Sequence, residues 1–313
     1  MNRLLDEIFR MIRLRSCVYF QREFRGPWSM RIADTGFAHF HVISAGSCVV
    51  ETDDGTITLR TGDVAIFPRG APHVLADRSG RDPVNGPVVM EAERIGRPLF
   101  TRGDPSCRVI CGHFEYRLRP MHPLIDGLPD VIHVAAPALS TASPERSVLP
   151  LLISETEPSS RGSTSIAERL AEVLLIQVLH VHFDRDKSAA GFLSGLMDRR
   201  LSRALSIIHQ DYSSQLTLGG LARTAGMSRT GFSQHFRALI GVPPIVYLTQ
   251  WRMLSAGDML ERPDLPVSDI AVRSGYDSEI TFSRAFKRTF KVSPSQYRQH
   301  ILAADVSTSP PER

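Results

Sequence analysis

Residues 30–118 carry short runs of apolar and β-branched residues broken by Gly, Pro and Asp, which predicts strands joined by tight turns. Residues 47–51 and 56–59 flank Asp53, Asp54 and Gly55, a hairpin signal. Residues 64–67 form a further run that stops at Pro68, Arg69 and Gly70. Many short strands with such turns predict a small barrel or jelly roll. The apolar period then lengthens from two to between three and four. Residues 149–157 and 166–183 read as helices, and Leu170, Val173, Leu174, Gln177, Val178 and Val181 line a broad stripe on the second. Core packing alone accounts for that stripe. Near the start, Leu5, Ile8, Phe9 and Ile12 also recur at helical spacing.

The C-terminal third repeats itself. Leu218, Leu221, Ala222 and Gly226 return 49 residues later as Val267, Ile270, Ala271 and Gly275. Beyond them the offset becomes 50, and Ser228, Phe232, Phe236, Val242, Pro244 and Tyr247 match Ser278, Phe282, Phe286, Val292, Pro294 and Tyr297. Each copy reads as helix, glycine turn, helix. The glycine supplies the left-handed residue that ends the first helix, and the serine caps the second. In the first copy Phe232, Phe236 and Ile240 face inward and Arg229, Thr230, Ser233, Gln234 and Arg237 face out. In the second, Phe282, Phe286 and Phe290 face inward and Glu279, Ile280, Thr281, Arg284, Lys287 and Arg288 face largely out.

Two short helices at a sharp angle, the second polar and basic outside, form the unit that lays a recognition helix in the major groove. A solvated helix face accounts for one such copy about equally well. Two copies with the same cap, glycine and aromatic spacing argue for DNA. Between them a single helix opens at Pro243 and Pro244 and carries Tyr247, Leu248, Trp251, Leu254 and Ser255 on its inner side. Such a connector fixes the relation of the two recognition helices.

Charge supports this division. Residues 201–302 hold 12 Arg or Lys and 7 Asp or Glu, a balance of +5, so the remainder of a chain of net charge +4 carries −1. A basic module beside a near-neutral one fits a nucleic-acid reader attached to something else. At 313 residues two domains are expected, and 42% hydrophobic residues suffice for real cores. Four cysteines, at 17, 48, 107 and 111, are too few and irregular for a secreted disulfide framework. The start lacks an apolar signal-peptide core, and the most apolar later stretch, 171–183, is too short for a bilayer. A cytoplasmic protein with no membrane partner is expected.

Residues 203–300 resemble the AraC/XylS family of transcription regulators. The matching stretches are 221–241, 247–260 and 270–298, with the closing pattern of Gly275, Tyr276, the Phe282-x-x-x-Phe286-Lys287 run, Ser293, Pro294, Tyr297 and Arg298. The resemblance implies base reading by Arg229, Thr230, Ser233 and Gln234 in the first recognition helix and by Glu279, Ile280, Thr281 and Arg284 in the second. It implies phosphate contacts by Arg237, Arg252, Lys287, Arg288 and Arg298, which position without reading sequence. Gly231 lies inside the first recognition helix, at a cost of about 1 kcal/mol against Ala.

The strand-rich region resembles the cupin-type sensor domains of one branch of that family, carried by Phe40, His41, Gly46, Gly62, Asp63, Pro68, Gly70 and His73, then Cys111, Gly112, Phe114, Leu128 and Pro129. In metal-binding cupins the first motif supplies two His and a Glu. His39 and His41 match the His positions, but Ala45 and Gly46 stand near the expected Glu, with His113 as a substitute ligand. The alternative, preferred here, is that the histidines are hydrogen-bonded barrel residues. No metal and no other cofactor is therefore expected. His41, His73, Cys111 and His113 form the candidate effector pocket. Cys107 and Cys111, four residues apart on one strand, are separated by about 13 Å, too far for a disulfide. A redox role would require Cys17 or Cys48 as a partner.

The expected fold is α+β: residues 1–188 a cupin-like sensor and dimerisation domain with trailing helices, 189–202 a linker and helix entry, 203–302 an all-α DNA-binding domain with two helix-turn-helix units, and 303–313 a disordered tail. Expected partners are double-stranded promoter DNA and a small-molecule effector, while the resemblance implies a second copy of the chain, met through the stripe of residues 170–181, and RNA polymerase. A metal-dependent cupin enzyme with an accessory DNA module is the rival, and the missing carboxylate disfavours it.

Overall fold

The computed structural model describes residues 14–116, 123–142, 147–157, 164–185, 195 and 198–307. The helical spacing at Leu5, Ile8, Phe9 and Ile12 lies outside these residues, as do most of the expected linker and the last six residues. The elements in order are β1 (Leu14–Arg25), β2 (Ser29–Ile32), β3 (Ala38–Thr52), β4 (Gly55–Arg60), β5 (Val64–Phe67), β6 (His73–Ala76), β7 (Val84–Asn85), α1 (Gly86–Arg94), β8 (Pro105–Tyr116), α2 (Pro123–Asp126), β9 (Ile132–Val134), α3 (Ala136–Ala142), α4 (Leu149–Thr156), α5 (Thr164–Arg185), α6 (Leu201–Gln210), α7 (Leu218–Thr224), α8 (Arg229–Ile240), α9 (Pro244–Leu260), α10 (Val267–Arg273), α11 (Glu279–Phe290) and α12 (Pro294–Ser307). They group into two compact units, one holding residues 14–116 and 128–187 and the other built mainly of 188–313.

The first unit is a curled, mainly antiparallel sheet organised on β3, in which β2 and β7 pair in parallel. Its first half pairs with β5 and β8, and its second half with β4 and β6. The change of partner falls where Gly46 takes φ +73°. A Cβ there would stand 2.2 Å from the Ser106 carbonyl, so only glycine lets β3 bend this close to β8. The predicted hairpin is present, with Thr52 opposite Gly55 and the two aspartates between them. The inner face is filled by Phe24, Trp28, Met30, Ile43, Val50, Leu59, Phe67, Leu75 and Val109. Phe40, Val42, Ile110 and Phe114 are also fully buried.

Four elements of this unit depart from the expectation: β1, α1, β9 and α3. The sheet starts at Leu14, sixteen residues before the predicted strand region, because β1 carries an irregularity that hides its alternation: Val18 faces Gly112 and Phe20 faces Cys111, leaving Tyr19 as an extra residue. Helix α1 was also not expected; it is short and enters on Gly86 and Pro87. Helices α4 and α5 follow the predicted positions. Leu174, Val178 and Val181 on α5 are buried, so core packing accounts for that part of the stripe, whereas Val173, at its edge, is exposed, as is Ile166.

The second unit is all helix. Helix α9 is its spine and buries Tyr247, Leu248, Trp251, Met253, Leu254 and Ala256. Helix α12 runs from Pro294 to Ser307.

Candidate DNA interface and sensor core

Each helix-turn-helix is set by local chemistry. In the first, the Thr217 hydroxyl accepts from the Gly220 N–H at 3.1 Å, and Gly226 closes the turn at φ +66°. The Ser228 hydroxyl then accepts from the Gly231 N–H at 3.2 Å and starts α8. That helix buries Phe232, Phe236 and Ile240. Arg229, Thr230, Gln234 and Arg237 are exposed and Ser233 is half-buried. In the second copy Gly275 takes φ +76°, and the Ser278 hydroxyl accepts from the Thr281 N–H at 3.3 Å. Helix α11 buries Phe282, Ala285 and Phe286 and leaves Glu279, Ile280, Thr281, Arg284, Lys287 and Arg288 exposed. Ile280 is 67% exposed, a large apolar side chain held in water on an otherwise polar face.

The two copies are joined by more than a helix. His209 stacks on Trp251 with centroids 3.8 Å apart and is 2.7 Å from the Tyr247 hydroxyl. Burial lowers its pKa to about 3, so this imidazole is neutral. Arg252 in α9 donates from Nε to the Tyr212 carbonyl at 2.7 Å and from Nη2 to the Ser214 carbonyl at 2.8 Å, with its guanidinium 5.7 Å above the Tyr276 ring. A Cβ on Gly275 would come within 2.7 Å of both Arg252 Nη2 and the Ser213 carbonyl. Gln215 also donates to Asp277 at 3.2 Å. The segment before the first helix-turn-helix and the turn of the second are thus held together across α9.

Two of the residues expected at phosphates make hydrogen bonds within the fold. The Arg252 guanidinium is committed to backbone carbonyls within the fold. Arg298 likewise donates to the Leu260 carbonyl at 3.2 Å and the Leu265 carbonyl at 2.5 Å. Carbonyls brought near by folding leave no mark in sequence, so these clamps read as free basic residues. Arg237, Lys287 and Arg288 remain exposed.

In the first unit His41, His73 and Cys111 come together and are sealed at 2–3% exposure. His73 Nδ1 is 2.8 Å from the Ala71 carbonyl, which can only accept, so that nitrogen carries the proton and His73 Nε2 accepts. His41 Nε2 therefore donates to His73 at 2.8 Å, and His41 Nδ1 accepts from the Cys111 thiol at 3.2 Å. Burial holds His41 well below the usual imidazole value and lowers His73 to about 3, and it pushes the Cys111 thiol up. The result is a closed relay of neutral groups. His113 lies apart from it, 3.2 Å from Glu115 and against the Tyr19 and Phe37 rings. His39 pairs with Thr35 at 2.8 Å.

These residues do not fit a metal ion. The two nitrogens that would face it are spent on each other, Gly46 stands near the place of the third ligand, and among the described residues no group of three His, Cys, Asp or Glu is arranged to hold one. Cys107 and Cys111 are free thiols, and the neighbour of Cys107 is Cys48, whose hydrogen bond to it, with burial, pushes Cys48 up. Among the described residues no helix is long and apolar enough to cross a membrane.

Comparison with known proteins gives the same two parts. Residues 3–184 match the family described as Cupin, and residues 221–300 match that described as Helix-turn-helix domain. A protein named as an AraC-like transcription regulator in Streptomyces lividans is 32% identical over 95% of this chain and 98% of its own length. A second protein so named, from Streptomyces antibioticus, is 31% identical over 95% of this chain and 99% of its own. An HTH-type transcriptional regulator of Haemophilus influenzae is 30% identical over 95% and 98%.

Proposed function

The chain belongs to the AraC-like helix-turn-helix transcription regulators that carry a cupin domain, and from that membership we propose that one monomer reads two adjacent major-groove segments while the cupin unit senses a small molecule. It is a DNA-binding regulator rather than an enzyme. The observation that carries the two-headed reading is the duplicated capped helix with its outward polar face, tied across α9 by Arg252. Arg229, Thr230, Ser233 and Gln234 read bases from α8, and Glu279, Ile280, Thr281 and Arg284 read them from α11. Arginine donates two hydrogen bonds to a guanine edge, and exposed Ile280 suits a thymine methyl. Arg237, Lys287 and Arg288 contact phosphates. The site of action is the cytoplasm.

A homodimer formed through the sensor unit is supported by the exposed Ile166 and Val173 on α5 and Leu151 on α4. Selection of binding sequences from randomised duplex DNA tests the DNA reading. The expected product is a bipartite motif whose halves lie about one helical turn, 10 bp, apart for each monomer. Recovery of a single uninterrupted half, unchanged when α11 is altered, would contradict it.

A further inference from the structure

A cleft of about 660 Å³ opens in the sensor unit between β1 and α1, within the range of small-molecule sites. Cys17, Tyr19 and Phe20 form one wall and Pro87 and Met90 face them. Three features distinguish it from an accidental groove. First, it lies at the irregularity in β1: Tyr19 is the residue without an opposite on β8, and such bulges re-aim side chains at sheet edges. Second, α1 is tied across to β1 by Glu93, which pairs with Arg22 at 2.5 Å. Third, the floor adjoins the buried relay, because Phe20 lies opposite Cys111.

The rim decides the chemistry of the occupant. Arg94 makes two 2.7 Å hydrogen bonds to the carboxylate of Glu91, and Glu93 is engaged by Arg22. Neither sign of charge is left over for an ionic ligand, and the walls are mainly apolar. We propose that the cleft between β1 and α1 is the effector site of this sensor and that it takes a neutral, mainly apolar small molecule. The proposal rests on the sensing role given to the cupin unit. Occupancy acts on β1, whose other contacts lead to the trailing helices: the Ser16 hydroxyl donates to the Glu168 carbonyl of α5 at 2.5 Å, and Gln21 accepts from Thr156 of α4 at 2.6 Å. A ligand that shifts the bulge therefore shifts the seats of α4 and α5.

The probe is N-phenyl-1-naphthylamine, a neutral fluorophore, titrated into the full chain. Saturable single-site binding is expected, weaker for the anionic anilinonaphthalene sulfonate. Met90→Glu should weaken the neutral probe by at least about tenfold, since it puts a charge into an apolar wall. Val88→Glu, on the 53% exposed side of α1, should leave it unchanged. In the unaltered chain the probe should also slow alkylation of Cys17 by N-ethylmaleimide, a site-specific report because Cys48, Cys107 and Cys111 are buried. This second readout holds even if Met90→Glu unfolds the domain. Absence of saturable binding, or binding that neither protects Cys17 nor responds to Met90→Glu, overturns the proposal. Operator binding followed in parallel separates the two readings. A chain that binds operator but not probe overturns the cleft alone, whereas probe bound in the cleft with no effect on operator binding upholds the site and overturns the sensing role.

Discussion

Arg284 and Lys287 stand three residues apart on one exposed helix face but are assigned different chemistry. Arg284→Ala should cost about 1–3 kcal/mol on the best operator and flatten preference at one base position. Lys287→Ala should weaken every sequence alike and reduce the salt dependence by about one phosphate contact. Equilibrium binding to single-base operator variants at several salt concentrations separates the two patterns. A further residue is conspicuous from the repeat. Helix α8 ends on Gly241 at φ +87°, but α11 ends on Lys291 at φ +66°, where a side chain is strained. Lys291→Gly should therefore stabilise the DNA-binding unit by about 1 kcal/mol, read as a higher melting temperature, and an unchanged or lower value would show that Lys291 earns its place through other contacts. At this scale the caps, the turn glycines and the outward faces were legible in sequence, because each depends on neighbours within one turn. Arg252 and Arg298 were not, because their partners are carbonyls between 33 and 40 residues away.

Among the elements, helices with one buried face were easy to anticipate and β1 was not, since a single extra residue shifts every later side chain to the opposite face. The α5 stripe was visible, yet the sequence could not tell an internal contact from an external one. Since Leu174 and Val178 are internal, the dimer reading moves to the exposed Ile166 and to Val173 at the edge of the stripe. Ile166→Glu with Val173→Glu should drive the full chain toward monomer in sedimentation at unchanged melting temperature, whereas an unaltered association state would remove α5 from the interface. The strands also make a prediction about pH. His73 is lowered to about 3 and His39 to about 4, chiefly by burial, and His41 lies well below its usual value. Imidazoles neutral in the fold but protonated when unfolded give stability that is complete above about pH 6.5 and is lost as pH falls toward these values. Each contributes at most about 1.4 kcal/mol per pH unit. The cupin unit, with three such groups among the described residues, should melt at progressively lower temperature from pH 7 to pH 5 and more steeply than the other unit, where His209 is the one such group among them. A flat profile would mean that these histidines are already solvated.

On the scale of the whole molecule, the division into a near-neutral sensor and a basic reader was apparent from charge and repetition, while the sensor's cleft was not, because β1 and α1 meet only in the folded sheet. The account predicts that deleting residues 1–188 leaves a fragment that binds the same operator and no longer answers an effector. An unfolded fragment would place the boundary elsewhere, and a fragment that still responds would move sensing out of the cupin unit. The most direct measurement is the binding free energy of the full chain over every single-base variant of its operator, repeated for Gln234→Ala in α8 and Arg284→Ala in α11. Two reading heads on one monomer predict that each substitution flattens preference within its own block of base pairs, the blocks centred about one helical turn apart. If both substitutions flatten the same block, or weaken all variants uniformly, the chain does not read DNA with two helices.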